Sequence, residues 1–151
     1  MSLEAVLDAT AIRAKTLSGL KDCYAITGSS QDDGTLTVVP QSLDSTPVAA
    51  LFPKGGALTA GNTEKLLHRL ELDIWERAAD GGYAVQVLAP FVERCRVLFR
   101  TDLDVNGQAT RCLMTGYGEW FPQSVNGQMY LVLPIYFEIL ETYFSSDYSV
   151  V

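Results

Sequence analysis

An apolar stripe between residues 84 and 99 is the pattern that most constrains how this chain folds. Its members recur three and four residues apart, which is the spacing of one helix face: Ala84, Val87, Leu88, Phe91, Val92, Cys95, Leu98 and Phe99. The stripe predicts an amphipathic helix that packs on a core, and the preceding Asp80, Gly81 and Gly82 separate it from the segment before it. Pro90 lies in its early part and predicts a kink there or a helix start near Leu88.

Residues 66–75 follow a different period. Leu70, Leu72 and Ile74 alternate with Arg69, Glu71 and Asp73. A period of two over this length predicts a half-buried strand with one dry face and one charged face in water. The apolar residues 48–52, closed by Pro53, predict a second, shorter strand.

Two segments around these strands predict loops. Residues 54–64 contain Gly55, Gly56 and Gly61 and are too long for a tight turn, so we expect a flexible, projecting loop between the strands. Residues 21–47 are rich in Gly, Ser, Asp and Thr and predict a long connecting loop with room for one short strand.

The two ends of the chain supply the remaining elements. Residues 3–20 have helical spacing, with Ser2 placed as an N-cap and Gly19 near the stop. The apolar segments 112–121 and 129–144 flank the pair Asn126-Gly127, which is typical of a hairpin turn. Pro134 cannot donate a backbone hydrogen bond, so a bulge or an unpaired edge is expected there.

Together these elements predict an α+β fold in which two helices pack on an antiparallel or mixed β-sheet. A chain of 151 residues has the length of one domain, so we expect a single domain over residues 1–151. With 48% apolar and 19% charged residues the chain is not of the disordered class, and no apolar run is long enough to span a membrane. The first residues lack the pattern of a signal peptide, which favours the cytosol.

Charge and cysteine content limit the functions to expect. Eighteen acidic and eleven basic residues give a net charge of −7, whereas a protein that grips nucleic acid usually presents a basic surface. Cys23, Cys95 and Cys112 are an odd number at wide spacing and predict small buried thiols.

The sequence contains no recognisable catalytic motif. His68 is the one histidine, and neither a nucleophile elbow nor a pair of metal ligands accompanies it. No glycine-rich segment has the spacing of a phosphate-binding loop. The carboxylates of the strands, Glu71, Asp73, Glu138 and Glu141, are expected to face water. We therefore expect no enzyme activity, no metal and no cofactor.

Aromatic residues collect near the expected loops and the C-terminal end: Trp75, Tyr117, Trp120, Phe121, Tyr143, Phe144 and Tyr148. They form either a contact surface or the rim of the core, because aromatic anchors are enriched where proteins meet. The candidate interface residues, including three on the projecting loop, are Lys54, Leu58, Thr59, Trp75, Trp120, Phe144 and Tyr148.

This order of elements is similar to that of the tail-terminator, or tail-completion, proteins of long-tailed bacteriophages. The similarity covers most of the chain and rests on an arrangement: an N-terminal helix, the strand at 47–53, a Gly/Thr-rich loop, the alternating strand at 68–75, the Pro-containing helix at 88–95 and a closing hairpin. The long loop at 21–46 departs from the shorter members of that family.

The resemblance implies a structural virion protein of the tail and neck, assembled in the host cytoplasm. Its subunits would form a homohexameric ring on the last ring of the tail tube, end tube polymerisation and offer a surface for head–tail joining. The implied partners are further copies of this chain, the major tail-tube protein and the head–tail connector protein. Genomic DNA would pass through without specific binding, and Glu71 and Asp73 are candidates for the lining of the lumen, since acidic groups repel phosphate.

Two alternatives remain open. A head–tail adaptor or minor tail subunit of similar size would share these features without ending tube growth. An α+β domain that binds a small molecule would need a deep apolar pocket with convergent polar groups.

Overall fold

The computed structural model describes residues 3–26, 46–59, 63–78, 81–125 and 127–144. The helices are α1 (Leu3–Ala14), α2 (Gly81–Leu88) and α3 (Pro90–Leu98). The strands are β1 (Cys23–Ala25), β2 (Val48–Thr59), β3 (Thr63–Arg77), β4 (Leu103–Val105), β5 (Gln108–Tyr117), β6 (Phe121–Val125) and β7 (Gln128–Phe144). β1 pairs with β2 in parallel and the other pairs are antiparallel, so the predicted α+β class with a mixed sheet is confirmed.

Strands β3 and β7 form the centre of the sheet. The strand order is β1-β2-β3-β7-β5-β4, and β6 pairs with β7 beside β5. β3 and β7 stay in one unbroken register from Thr63 opposite Phe144 to Arg77 opposite Tyr130. Each residue of β3 therefore has a fixed neighbour on β7, and this register decides which side chains share a face.

The helices cover one face of this sheet, which we call the helix face. Leu70, Leu72 and Ile74 of β3 lie in one buried cluster with apolar residues of all three helices, and each of them is at most 1% exposed. Phe99, directly after α3, packs on Phe137 of β7 with 4.5 Å between ring centroids. The predicted apolar side of the alternating strand is thus the main core of the protein.

The helix boundaries differ from the expected ones. The predicted helix at 84–99 is two helices, α2 and α3, that meet at Ala89 with Pro90 as the first residue of α3. Proline fits there because the first helical position needs no backbone N–H. The first helix ends at Ala14 and not near Leu20, and Ser2 lies outside the described residues.

The expected loop at 54–64 is largely β-structure, so that prediction was wrong for residues 54–59 and 63–64. β2 and β3 remain paired out to Thr59 opposite Lys65, with a bulge between Pro53 and Gly56. A Cβ atom on Gly56 would lie 2.2 Å from the Leu67 carbonyl oxygen, so the glycine allows the close approach of the two strands. We call the paired residues 54–59 and 63–68 the arm; residues 60–62 lie outside the described residues.

Two hairpins lie at Asn-Gly pairs of the sequence. The hairpin predicted at Asn126-Gly127 is confirmed by the pairing of β6 with β7, and Asn126 itself lies outside the described residues. The pair Asn106-Gly107 joins β4 to β5 with positive φ angles of 53° and 83°. Such angles suit the two-residue turns whose twist matches that of the flanking strands. The expected short strand within residues 21–47 is β1, and residues 27–45 lie outside the described residues.

Pro134 occupies a gap in the pairing of β7. On one edge of β7, β6 pairs with residues up to Val132 and β5 pairs with residues from Ile135 onward. The single strand predicted at 112–121 is therefore wrong, because this segment contributes to two strands, β5 and β6. Gly118 donates its N–H to the Pro134 carbonyl at 2.9 Å from that same side. A residue's N and C=O point to the same edge of a strand, so the proline nitrogen faces the gap. The predicted unpaired edge is confirmed.

Candidate functional site

The face of the sheet opposite the helices carries two buried carboxyl groups. Glu71 is 8% exposed and Asp73 is 3% exposed. They lie two residues apart on β3 and so on one face, with Phe52 and Tyr136 flanking Glu71 on the neighbouring strands and Ala50 and Pro134 flanking Asp73 in the same way. We call this surface, defined by these six residues, the carboxyl face.

The expectation that Glu71 and Asp73 face water is therefore wrong. Alternation correctly placed both on the face away from the helices, but that face is also covered, so β3 is buried on both sides from Leu70 to Glu76. Phe52, which flanks Glu71 on β2, is itself 0% exposed. A DNA-facing lumen lined by these two side chains is no longer supported.

The buried pair holds a proton. Burial, a hydrogen bond with Glu71 and the negative charge of Glu71 together raise the pKa of Asp73 to about 9. Asp73 is therefore protonated at neutral pH and donates to Glu71, while the Lys54 Nζ lies 3.7 Å from Glu71 Oε1. Asp73 Oδ1 is buried without a hydrogen-bond partner among the described residues. One ammonium and one shared proton thus balance two carboxyls.

Tyr136 and Lys54 form the accessible border of this cluster. Tyr136 is 36% exposed, and burial together with the adjacent Glu71 and Asp73 raises the pKa of its phenol. Carboxyls that share a proton can perform acid–base chemistry when a substrate reaches them. Here the two carboxyls are covered and only the tyrosine and the lysine reach water, so the geometry favours a structural role.

Beside the carboxyls, the same face holds a second apolar cluster of Val48, Ala50, Trp75, Tyr130 and Val132. Trp75 is 2% exposed and meets the Tyr130 ring edge-on at 5.7 Å. Trp75 was predicted to be an interface residue, but in the subunit it is a core residue. Its Nε1 has no hydrogen-bond partner among the described residues.

The other predicted interface residues lie in separate places. Lys54 and Leu58 are exposed on the arm, with Leu58 62% exposed, and Thr59 is the last residue of β2. Trp120 is half-buried against the core of the helix face. Phe144 ends β7, and Tyr148 lies outside the described residues. The structure therefore brings only the arm residues together.

His68 has a buried acidic partner that the sequence did not reveal. Its Nε2 lies 3.5 Å from Glu141 Oε2, and the two residues are 7% and 2% exposed. Only the register of β3 with β7 makes them neighbours, because 73 positions separate them along the chain. The expectation that Glu141 faces water was wrong.

No Cys–His relay forms around this histidine. His68 and Cys112 both lie opposite Ile139, on the two strands that flank β7. Two strand spacings, roughly 10 Å, therefore separate their backbones. Burial also raises the pKa of Cys23, Cys95 and Cys112 to about 12, and the prediction of buried thiols is confirmed.

Within the described residues, no group of three or more His, Cys, Asp or Glu side chains is placed to hold a metal ion. In the same part of the chain, no helix combines the length and the apolar character needed to cross a membrane.

Two open grooves lie on the helix side of the molecule. One of about 340 Å³ runs between the segment after α1 and helix α3, next to Leu17, Arg94 and Val97. The other, of about 560 Å³, lies between α1 and β1. We call the second one the edge groove; its lining residues are Asp8, Ala11, Ile12, Lys15, Cys23, Tyr24, Ala25 and Ile26.

Comparisons with known proteins leave the family open. No family model matches the chain, and no curated protein sequence matches it. Solved structures do match: one, of a protein whose name describes no function, is 13% identical, with a TM-score of 0.48 over 92% of this chain and 96% of the other. A likeness this weak carries no argument about function.

Proposed function

We propose that the chain is the subunit of a tail-terminator ring, which caps the tail tube of a long-tailed bacteriophage, ends tube polymerisation and offers a surface for head–tail joining. The proposal starts from the arrangement of elements in the sequence. Partners are further copies of the chain, the tail-tube protein and a head–tail connector, and DNA passes through the ring without specific binding.

The arm carries this proposal. Residues 54–58 are exposed, although they belong to β2 and one edge of that strand is paired with β3. Leu58 is 62% exposed at the far end of the arm. An apolar side chain on a stiff extension contributes little to its own core, whereas it suits a contact with a neighbouring subunit.

The net charge of the chain and the burial of its carboxyl pair and its histidine support the same proposal. The net charge of −7 disfavours adhesion to DNA that moves through a channel. The carboxyl pair is covered, and His68 pairs with Glu141 in the interior. These groups favour a role in holding the subunit together over a role in catalysis.

A polymerisation assay tests the proposal. The major tail-tube protein encoded with this chain is allowed to assemble, and tube lengths are measured by electron microscopy with and without the purified protein. We expect added protein to stop growth and to bind one tube end. Leu58→Asp is expected to lose this effect, whereas the matched control Leu113→Asp, at a residue 51% exposed on β5, is expected to keep it.

The assay also separates the alternatives. An adaptor or minor tail subunit would bind a completed tail, or the connector, and leave tube growth unchanged. Tubes that elongate equally with and without the protein, and carry none of it at their ends, would overturn the terminator proposal.

A further inference from the structure

The outer edge of strand β1 has no strand partner among the described residues. β1 is the last strand of the described sheet on its side. Asp22 C=O accepts from Ala49 and Ile26 N–H donates to Leu51, so these alternate residues point toward β2. Cys23 and Ala25 point the opposite way because backbone groups of successive residues alternate in direction. The Asp22 side chain occupies Cys23 N–H, which leaves Cys23 C=O and both polar groups of Ala25 for an added strand.

Helix α1 gives this edge a side wall. Asp8, Ala11, Ile12 and Lys15 lie on one face of α1 and line the edge groove together with β1. Ile12 is 66% exposed. An unpaired strand beside a helix accepts an extended segment, whose backbone pairs with the strand while its side chains contact the helix.

The arm contains an extended segment that suits the edge groove. Ile12 and Leu58 have the two highest exposed fractions among the large apolar side chains of the described residues. The arm residues of β3 are paired on both edges, with β2 and β7, whereas arm residues 54–59 of β2 pair only with β3. Their other edge has no strand partner among the described residues, because β1 covers β2 only from Ala49 to Leu51. Both surfaces therefore combine an open strand edge with one exposed aliphatic side chain.

Within one subunit the two surfaces cannot meet. Ala25 lies beside Leu51, and Leu58 is seven residues further along β2. Seven residues of strand extend roughly 20 Å, and pairing with β3 keeps the arm from folding back. Contact between arm and edge groove needs two copies of the chain.

We propose that the arm of one copy docks as an added strand in the edge groove of the next copy, with Leu58 against Ile12. This inference rests on the proposed function, since it identifies the contact by which the ring closes. Two different surfaces meet in such a head-to-tail contact. Repeated contacts of this kind form a closed ring when the rotations from each copy to the next add up to a full turn.

Cross-linking between copies tests the contact. Ile12→Cys and Leu58→Cys variants are prepared separately, mixed, and oxidised with oxidised glutathione. We expect a disulfide-linked dimer from the mixture and none from either variant alone, because a head-to-tail contact never brings two copies of the same residue together. The three natural thiols are buried with raised pKa values and do not compete.

A matched control identifies the groove. Val97→Cys, at a residue that is 50% exposed and lines the other groove, is mixed with Leu58→Cys under the same conditions. No dimer is expected. A Val97–Leu58 dimer, without an Ile12–Leu58 dimer, would overturn the proposal by placing the arm in the other groove.

Native mass spectrometry separates this inference from the proposed function. Leu58→Asp and Ile12→Asp are each expected to raise the protein concentration needed for assembly at least about tenfold, and both positions are exposed enough for the variants to fold. Rings that persist in both variants would overturn the arm–groove contact and leave the ring standing. A wild-type protein that never assembles would overturn both.

Discussion

The two faces of strand β3 show how differently a strand can be buried. On the helix face, Leu70, Leu72 and Ile74 pack into the main core. On the carboxyl face, Glu71 and Asp73 are almost as well covered, yet they are polar and keep a proton between them. Burial stabilises the first set, whereas it costs free energy for the second set unless hydrogen bonds and charges compensate. Burial to the same depth therefore stabilises the folded state on the helix face and costs free energy on the carboxyl face.

The largest expected effect comes from the helix face. Leu72→Ala removes a side chain that is 0% exposed and leaves a cavity in the core, so it should reduce the free energy of unfolding by about 2–5 kcal/mol. Urea unfolding at pH 7 measures this change. The exposed Leu113→Ala is the control and should change stability by less than about 0.5 kcal/mol. Similar losses in both variants would contradict the assigned core.

The carboxyl face predicts a change of opposite sign. Asp73→Asn keeps a donor for Glu71 without needing a bound proton, so the variant should be more stable at pH 8, on the order of 1 kcal/mol. Folded Asp73 keeps its proton up to about pH 9, whereas the unfolded residue loses it near 3.8. Between these values the unfolded state binds fewer protons, and the stability of the natural protein falls as pH rises.

Urea unfolding at pH 5 and pH 8 checks this prediction. The effect of Asp73→Asn should be less favourable at pH 5 than at pH 8 by up to about 4 kcal/mol, because each pH unit between the two pKa values lowers the stability of the natural protein by about 1.4 kcal/mol. The exposed Asp102→Asn should show neither effect. Destabilisation by Asp73→Asn of equal size at both pH values would contradict the shared proton.

The smallest expected effect concerns Lys54. Its ammonium lies 3.7 Å from Glu71 and is 46% exposed, so Lys54→Met should cost no more than about 1 kcal/mol. Lys54 also lowers the pKa of Asp73, so its loss should steepen the fall of stability above pH 8, where the natural Asp73 begins to lose its proton. Unfolding curves at pH 8 and pH 10 measure the steepening. An unchanged pH dependence would show that Lys54 does not act on the carboxyl pair.

Local patterns predicted much of the fold. Alternation identified β3 and its apolar face, and the pair Asn126-Gly127 identified a hairpin. Helical spacing identified the helical region of α2 and α3, although as one helix. The arm was missed because Gly55 and Gly56 suggested flexibility, whereas Gly56 allows a bulge within paired strands. Glycine occurs both in flexible loops and in bulges of paired strands. Only the presence of a partner strand decides which of the two forms, and the local sequence does not show that partner.

The candidate site was harder to predict because it depends on register. Glu71 and Asp73 were predicted to face water because they are charged and alternate with apolar residues. In the structure they lie beside Phe52 and Pro134, on neighbouring strands whose alignment the sequence does not reveal. The partnership of His68 with Glu141 has the same origin. No local signal in the sequence specifies which residues of β3 and β7 face each other.

Native mass spectrometry of the unaltered chain tests the central claim, that this protein is the subunit of a ring, most directly. The measurement is made at micromolar concentration from a volatile neutral buffer, with and without tail tubes. We expect one closed assembly with a mass that is a whole multiple of the 16.5 kDa subunit, six copies being the number implied by the resemblance. A monomer in every condition, tail tubes included, would contradict the account.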